Sequence, residues 1–417
     1  MVSTKDLFLS PDERYEIWEV KKEERPHLLL IPSEDEASHC DDGDDDDSCG
    51  SAQLPLVDGC DVPGWRASQM INLRHSVASA LNVGSGCSLL RRESQLPVVS
   101  SFARSKWRQL QERFMAEPTP SKVIRIPKDE ALKLSYYSWF ERENVPVVLE
   151  GLTGDWKAMT TCQWTNLVER FGDFYWRFSD THGAGMTLET YHKYVTTLEG
   201  MVDDAPLAVY DSQLAADDRC YLLEDYKVPE CFAAPDLFEP LGEDERPPYR
   251  WILMGPARSG TGLHIDPMGT HAWVTVVEGL KRWVLFPYGT DPQSIGMTET
   301  QIPSALWFAE WYDRAMEAHP GAIEVLQRPG ETVYVPAGWP HLVLNLEPTV
   351  AITHNYATEY PSMERIAASV QKEESELFPK WLKVLQTTRP DLLSPAAHDD
   401  GDGLQSLLES PVDSRTR

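Results

Sequence analysis

From about residue 249 onward, apolar and polar positions come in short bursts separated by Gly and Pro. Residues 249–254 form an apolar, aromatic-rich run closed by Gly255-Pro256. Residues 272–277 lead to Glu278-Gly279, and 281–287 follow directly, so this pair reads as a hairpin. Two further runs, 331–336 and 341–346, are joined by Ala337-Gly338-Trp339-Pro340, and 350–356 closes the set. Short strands with Gly/Pro turns between them predict a barrel or jelly roll.

Before that region the period changes. Trp107, Leu110 and Phe114 recur at spacings of three and four, predicting an amphipathic helix over 104–117. Its remaining positions carry Arg104, Lys106, Arg108 and Arg113, which read as a solvated face. Pro118-Thr119-Pro120 ends it. Strands are then expected at 123–126, 145–149 and 208–211, and helices at 129–143, 165–171 and 188–198. A connection rich in Pro and acidic residues leads into the barrel. Beyond it, Ile366, Val370 and Leu377 predict a helix over 362–377. Pro379 interrupts, and Trp381, Leu382 and Leu385 resume the pattern over 380–385. This helical pair can pack on the barrel or form a homodimer contact. The expected class is α+β. The expected organisation is an N-terminal region 1–120, partly disordered and acidic, a barrel domain 121–360, a helical pair 361–393 and a mobile acidic tail 394–417.

Charge and cysteines narrow the functional classes. The chain of 417 residues carries a formal net charge of −28, which argues against a general nucleic-acid binder needing a basic face. Part of that acidity is one block, Asp41-Asp42-Gly43-Asp44-Asp45-Asp46-Asp47, with the character of a self-repelling disordered segment. A basic partner for that block is the alternative reading. Seven cysteines, scattered and without Cys-x-x-Cys, speak for a reducing compartment rather than a disulfide frame. The N-terminus lacks an apolar signal core and no run reaches transmembrane length, so a soluble intracellular protein is expected. Arg91-Arg92 is too short for a nuclear signal.

The candidate chemistry lies in Thr261-Gly262-Leu263-His264-Ile265-Asp266-Pro267, answered downstream by Trp339-Pro340-His341. His-x-Asp on extended backbone places both side chains on one face. Two imidazoles and a carboxylate, with other positions open, form the facial triad that holds non-haem Fe(II) in oxygenases. His264, Asp266 and His341 are therefore the candidate metal ligands. Alone, His-x-Asp is weak; its setting among strands strengthens it. His182, His271 and His354 are further possible ligands, read instead as surface or supporting residues. Gly255-x-x-x-x-Gly260-Thr261 fails as a phosphate loop because the lysine is missing and a strand follows. No Gly-x-Ser-x-Gly is present.

Longer motifs surround these residues. They include Pro247-Pro248-Tyr249-Arg250-Trp251, the run Met254 to Pro267, Gly279-x-Lys281-Arg282-Trp283-x-Leu285-Phe286-Pro287, and Leu222-Leu223-Glu224-Asp225-Tyr226-x-Val228-Pro229. Pro329-Gly330-Glu331-Thr332-Val333-x-Val335-Pro336-x-Gly338-Trp339-x-His341 and Lys380-Trp381 complete them. From about 136 to 393 the chain resembles the JmjC family of Fe(II)/2-oxoglutarate oxygenases, in particular its lysyl hydroxylases and arginine demethylases. Residues 1–120 are not covered. The resemblance implies a double-stranded β-helix of the cupin type, with Fe(II) on His264, Asp266 and His341. It places Lys281 against the distal carboxylate of the 2-oxoglutarate cosubstrate, with Thr353 and Thr261 as hydroxyl donors and Asn355 as support. Read without it, Lys281 would be a solvated hairpin lysine and the threonines strand filling.

Two positions depart from the pattern. A cosubstrate-binding tyrosine of that group falls where this chain has Ala208, and an asparagine where it has Val274. Tyr210, two residues beyond Ala208 on the same strand face, is the expected substitute. The implied reaction couples oxidative decarboxylation of 2-oxoglutarate by O2, giving succinate and CO2, to hydroxylation of a protein C–H bond. Lysine carbon in Lys/Arg-rich segments is the first expectation. Hydroxylation of an N-methyl group, which collapses to demethylation, is the second, and a catalytically silent binding module is the alternative from another class. A protein substrate follows, with no nucleic acid and no membrane; the nucleus is the expected location, with the cytoplasm as alternative.

Overall fold

Side-chain alternation along the central strands sorts this chain into layers, and the interior layer is where the chemistry sits. The computed structural model describes residues 104–134, 139–178, 185–196, 206–216, 218–297 and 302–393. The acidic block at 41–47, Arg91-Arg92, His182 and the tail from 394 lie outside them. In chain order the elements are α1 (Arg104–Met115), β1 (Ile124–Ile126), β2 (Val147–Glu150), α2 (Trp164–Phe171), β3 (Tyr175–Arg177), β4 (Gly185–Thr187) and α3 (Leu188–Thr196). Then come β5 (Val209–Asp211), β6 (Arg250–Gly255), β7 (Gly260–His264), β8 (His271–Glu278), β9 (Lys281–Leu285), α4 (Ser304–Glu310) and α5 (Tyr312–Ala318). The last are β10 (Ile323–Gln327), β11 (Glu331–Val335), β12 (His341–Asn345), β13 (Thr349–Tyr356), α6 (Met363–Glu373) and α7 (Phe378–Thr388).

A seven-stranded sheet, in the order β1-β2-β11-β8-β13-β6-β5, faces a four-stranded sheet, β10-β9-β12-β7. Apart from β1–β2, neighbouring strands in both sheets run antiparallel. The expected hairpin at 272–287 does not form: β8 pairs with β11 and β13, while β9 pairs with β10 and β12. Gly279, at φ +86, sits tightly against the Pro348 backbone where the chain crosses from one sheet to the other. Hydrophobic periodicity carries no information on which sheet a strand joins.

Between the sheets, Val274, Val276, Trp283, Leu285, Val333, Val343 and Ala351 fill one part of the barrel. The outer face of the large sheet (Ile252, Trp273, Val350, Ile352) packs on Trp164, Leu167 and Tyr191 of α2 and α3. The outer face of the small sheet (Val284, Leu326, Leu342, Leu344) packs on α1, α4 and α5. Covering both faces is why β8, β9, β12 and β13 are buried along nearly their whole length. In α1, Trp107, Leu110 and Phe114 are the buried face, and Arg282 of β9 donates to the Phe114 and Ala116 carbonyls at its end.

Several elements differ from the sequence reading. The helix expected over 129–143 is interrupted: Lys128–Ala131 is one turn, the chain leaves the helix at 132–134, and Trp139–Arg142 is helical again. Strand β10 and helices α4 and α5 had no periodic signal strong enough to name. Pro379 lies in the first turn of α7 rather than breaking it, where its missing N–H costs nothing. Cys162, Cys220 and Cys231 are free thiols. Among the described residues no helix is long and apolar enough to cross a membrane.

The helical pair packs on the barrel's flank. Ile366, Val370, Trp381 and Leu385 are buried with Leu237, Phe238 and Met268. The Trp381 ring stacks on Phe238 at 5.6 Å, and its N–H donates to the Leu237 carbonyl at 2.9 Å. Replacing Trp381 by Ala is therefore expected to cost about 3–5 kcal/mol of unfolding free energy. The exposed neighbouring change Lys380→Ala should stay within about 0.5 kcal/mol. Chemical denaturation of the two variants checks this. Equal midpoints would show that α7 lies outside the cooperative unit.

Candidate active site

The site begins with one strand register. β12 pairs with β7 so that His341 stands directly opposite His264 and Val343 opposite Thr261, with an irregularity between them. β7 thus carries one residue more than β12 over this stretch, a β-bulge. The bulge lets Thr261 and His264, three apart in sequence, both face the interior while Leu263 packs outward into the small-sheet layer. Gly260 enables the close approach: a Cβ there would collide with the Val343 carbonyl. Beyond the strand end, Asp266 is extended (φ −60, ψ 139) and turns its carboxylate back towards both imidazoles, leaving Ile265 exposed.

Ligand atoms of His264, Asp266 and His341 all lie within 4.8 Å of one another. His264 Nε2 is 3.6 Å from Asp266 Oδ1, and His341 Nε2 is 3.9 Å from Asp266 Oδ2. Each ring is oriented from behind. His264 Nδ1 donates to the Gly262 carbonyl at 2.8 Å, and His341 Nδ1 donates to the Trp339 carbonyl at 2.9 Å. Holding the proton on Nδ1 leaves both Nε2 lone pairs facing the carboxylate, the arrangement a metal requires. Asp266 Oδ2 is buried without a hydrogen-bond partner, so the protein itself does not satisfy it.

Charge follows the same pattern. Burial and then His264 push the His341 imidazole down to about 4, keeping it a neutral donor. Burial pushes Asp266 up, but His341, His264 and Asn355 outweigh it and hold the carboxylate below its ordinary range. Burial likewise opposes charge on His264, but Asp266 and the Gly262 and His341 backbone contacts leave its value raised. Two nitrogens, one anionic oxygen and an unsatisfied lone pair fit a divalent transition metal bound on one face.

Lys281 supplies the second polar feature. It is buried in the interior, where its ammonium donates to Asn345 Oδ1 at 2.8 Å. Asn345 Nδ2 donates in turn to Ser259 Oγ at 2.8 Å, and Ser259 donates to the Pro256 carbonyl at 2.6 Å. Among the described residues Lys281 has no carboxylate partner, and burial alone pushes its amine down to about 7. A buried lysine whose hydrogen-bond partner is a neutral amide leaves its charge free to receive an anion. His341 and Asn345 stand at the two ends of β12, roughly 13 Å apart along the strand. The lysine side chain and a short diacid together span that distance.

The remaining predicted residues line the space between. Thr353 is interior, opposite Trp251 on one side and Val274 on the other. Asn355, on the same face, donates to Thr270 Oγ1 at 3.0 Å and supports Asp266. Ala208 lies at the Lys281 end: a Cβ built on Gly255 would meet Ser259, Asn345 and, at 3.2 Å, Ala208. Tyr210 lies towards the metal end instead, against Trp251 with ring centroids 5.7 Å apart, and its hydroxyl is raised by burial and by the Asp266 charge. Val274 is buried apolar wall.

His271 and His354 are not ligands. His271 accepts from the Tyr334 hydroxyl at 2.7 Å and the Ala337 N–H at 3.1 Å, and donates from Nε2 to the Tyr360 carbonyl at 2.9 Å. His354 stacks on Trp273 and bonds the Tyr226 hydroxyl at 2.7 Å on the outer face of the sheet. Sequence reasoning missed Asn345 and Ser259. The only available signal was that Asn345 interrupts an apolar strand at the same parity as His341.

The JmjC domain, hydroxylase, family pattern matches residues 251–356, a span holding the three ligands, Lys281, Thr353 and Asn355 but not Ala208 or Tyr210. The bifunctional arginine demethylase and lysyl-hydroxylase psr-1 of Caenorhabditis elegans is 35% identical over 319 residues, covering 72% of this chain and 78% of that protein. Arginine-specific demethylase JMJ22 of Arabidopsis thaliana is 38% identical over 226 residues, 52% of this chain and 43% of that one. The 2-oxoglutarate and iron-dependent oxygenase JMJD4 of Homo sapiens is 29% identical over 229 residues, 44% and 54% of the respective chains. With the triad and the buried lysine in one barrel, the chain belongs to the JmjC family of iron- and 2-oxoglutarate-dependent oxygenases.

Proposed function

We propose that this oxygenase hydroxylates lysine side chains in Lys/Arg-rich protein segments. The carrying observation is that the buried, unneutralised Lys281 shares one barrel interior with the His264–Asp266–His341 triad. The name of the C. elegans relative supplies the substrate class, and the net charge of −28 supports a basic substrate by steering it.

When bound, Fe(II) and 2-oxoglutarate supply the activation of O2 that drives C–H hydroxylation. The chain's own residues do the rest. His264, Asp266 and His341 would hold the metal through two imidazole nitrogens and a carboxylate oxygen. Lys281 pairs with the distal carboxylate while Asn345 and Ser259 aim the ammonium. Thr353 and Thr261 offer hydroxyls along the cosubstrate. Asn355 fixes the Asp266 carboxylate. The hydrocarbon half of the barrel, Val274, Val333 and Ala351, keeps water from the reacting atoms.

Iron-loaded protein given 2-oxoglutarate and a Lys/Arg-rich peptide in air should release succinate and add one oxygen to a lysine of the peptide. His264→Ala should reduce succinate to the enzyme-free rate. Mass spectrometry of the peptide separates the readings: loss of a methyl group from a methylarginine peptide, without lysine oxidation, replaces hydroxylation by demethylation.

Lys281 makes the cosubstrate step pH-dependent. Its free amine titrates near 7, below the ordinary 10.5, whereas pairing with a carboxylate favours the charged form. Binding above pH 7 therefore takes up a proton. Affinity for 2-oxoglutarate should fall by up to about tenfold per pH unit above 7 and level off below it. Anaerobic calorimetry from pH 6 to 9 checks this, and Lys281→Met should bind weakly with no such slope. A flat profile in the unsubstituted protein would contradict the assignment.

A further inference from the structure

We infer that Tyr210 and Trp251 form an aromatic wall that receives the cationic end of the substrate side chain; this rests on the basic-segment reading above. Their placement follows from register. Leu253 packs towards the barrel interior, so Trp251, two residues earlier on β6, faces the same way. Tyr210 is paired directly with Leu253 and shares that face. β5 is the last strand in the ladder order of its sheet, with an isolated bridge from Phe178 to Val209 on its other side, which sets the pair at the margin of the sheet rather than in its packed half.

Exposure supports this. Trp251 and Tyr210 are both half-buried, whereas their interior neighbours Thr353 and Val274 are buried. The rings meet at 48°, so their faces form an open angle rather than a closed stack. Among the described residues neither ring carries a resident cation. Tyr249, close by in sequence, contrasts with them: Arg246 and Arg250 cover it at 3.3 and 4.9 Å from its centroid. A half-buried π-face without an internal cation, in the same interior as the metal triad, fits a lysine ammonium. Trp251 is opposite Thr353, so the wall lies alongside the cosubstrate rather than behind it.

The test uses the full chain with Mn(II) and 2-oxoglutarate bound, without oxygen, and two peptides. Both are Arg/Ser-rich; one has a central lysine and the other norleucine, of the same stem without the charge. The unsubstituted protein should prefer the lysine peptide by about tenfold, and Trp251→Ala should reduce that preference to about twofold or less. Trp251→Phe and Tyr210→Phe, which keep a π-face, should retain most of it. Because the readout is a ratio within each variant, a general loss of affinity cancels. An undiminished preference in both Trp251→Ala and Tyr210→Leu overturns the wall and leaves the basic-segment reading standing. If the unsubstituted protein binds Mn(II) and 2-oxoglutarate but neither peptide, the basic-segment reading fails and the wall with it.

Discussion

The cross-strand pair of His264 and His341 is the constraint on which the molecule turns. A metal ligand set needs atoms placed to fractions of an ångström, and a strand ladder fixes two of them by register alone. The bulge in β7 then adds what a regular ladder cannot: Thr261 and His264 both inside, with Leu263 outside as an anchor. Asp266, just past the strand end, completes the set at the expense of a buried, unpartnered oxygen. Such a group costs about 1–3 kcal/mol in a protein interior. Its presence marks a site shaped for something other than the fold's own stability.

Lys281 makes the same point from the other end. Burial lowers its amine to about 7, a destabilising effect that a nearby carboxylate would remove. The chain supplies an amide instead. Asn345 orients the ammonium but leaves its charge for an incoming anion. The rest of the interior compensates through packing: Val276, Trp283, Leu285, Val325 and Val333 fill the other half of the barrel. The interior is thus divided into a hydrocarbon half that stabilises the fold and a polar half that works at a loss.

How much of this was legible depends on the scale of the interaction. Strand-length runs between Gly/Pro turns placed β6, β8, β9, β11, β12 and β13 within a residue or two, whereas β10 carried no such signal. The triad was legible because its near pair is local in sequence and His341 sits in an equally distinctive turn. Sheet membership was not: β8 and β9 are adjacent in sequence, yet Gly279 carries the chain across to the other sheet. Nor was the Lys281–Asn345–Ser259 chain, whose members come together only when β9, β12 and the β6–β7 turn are assembled. The helix expected over 129–143 failed for a related reason. Its hydrophobic spacing allows one helix, but the chain leaves helical geometry after Ala131, and Ala131 and Phe140 reach the same cluster from two separate pieces.

The two departures from the family pattern differ in kind. Val274 lies on β8 with strands on both sides, and a residue there must satisfy the packing of Val333 and Thr353. Ala208 precedes a strand that is paired with β6 on one side and, among the described residues, meets a single bridge from Phe178 on the other. A change of side chain at Ala208 alters the interior lining beside Gly255 and involves no full ladder beyond β6. It leaves the ligand-bearing pair β7–β12, in the opposite sheet, untouched. The architecture therefore separates what must stay fixed for metal binding from what can vary in cosubstrate and substrate contact. β5, carrying Tyr210 and adjoining Ala208, is the place where that variation is least costly to the fold.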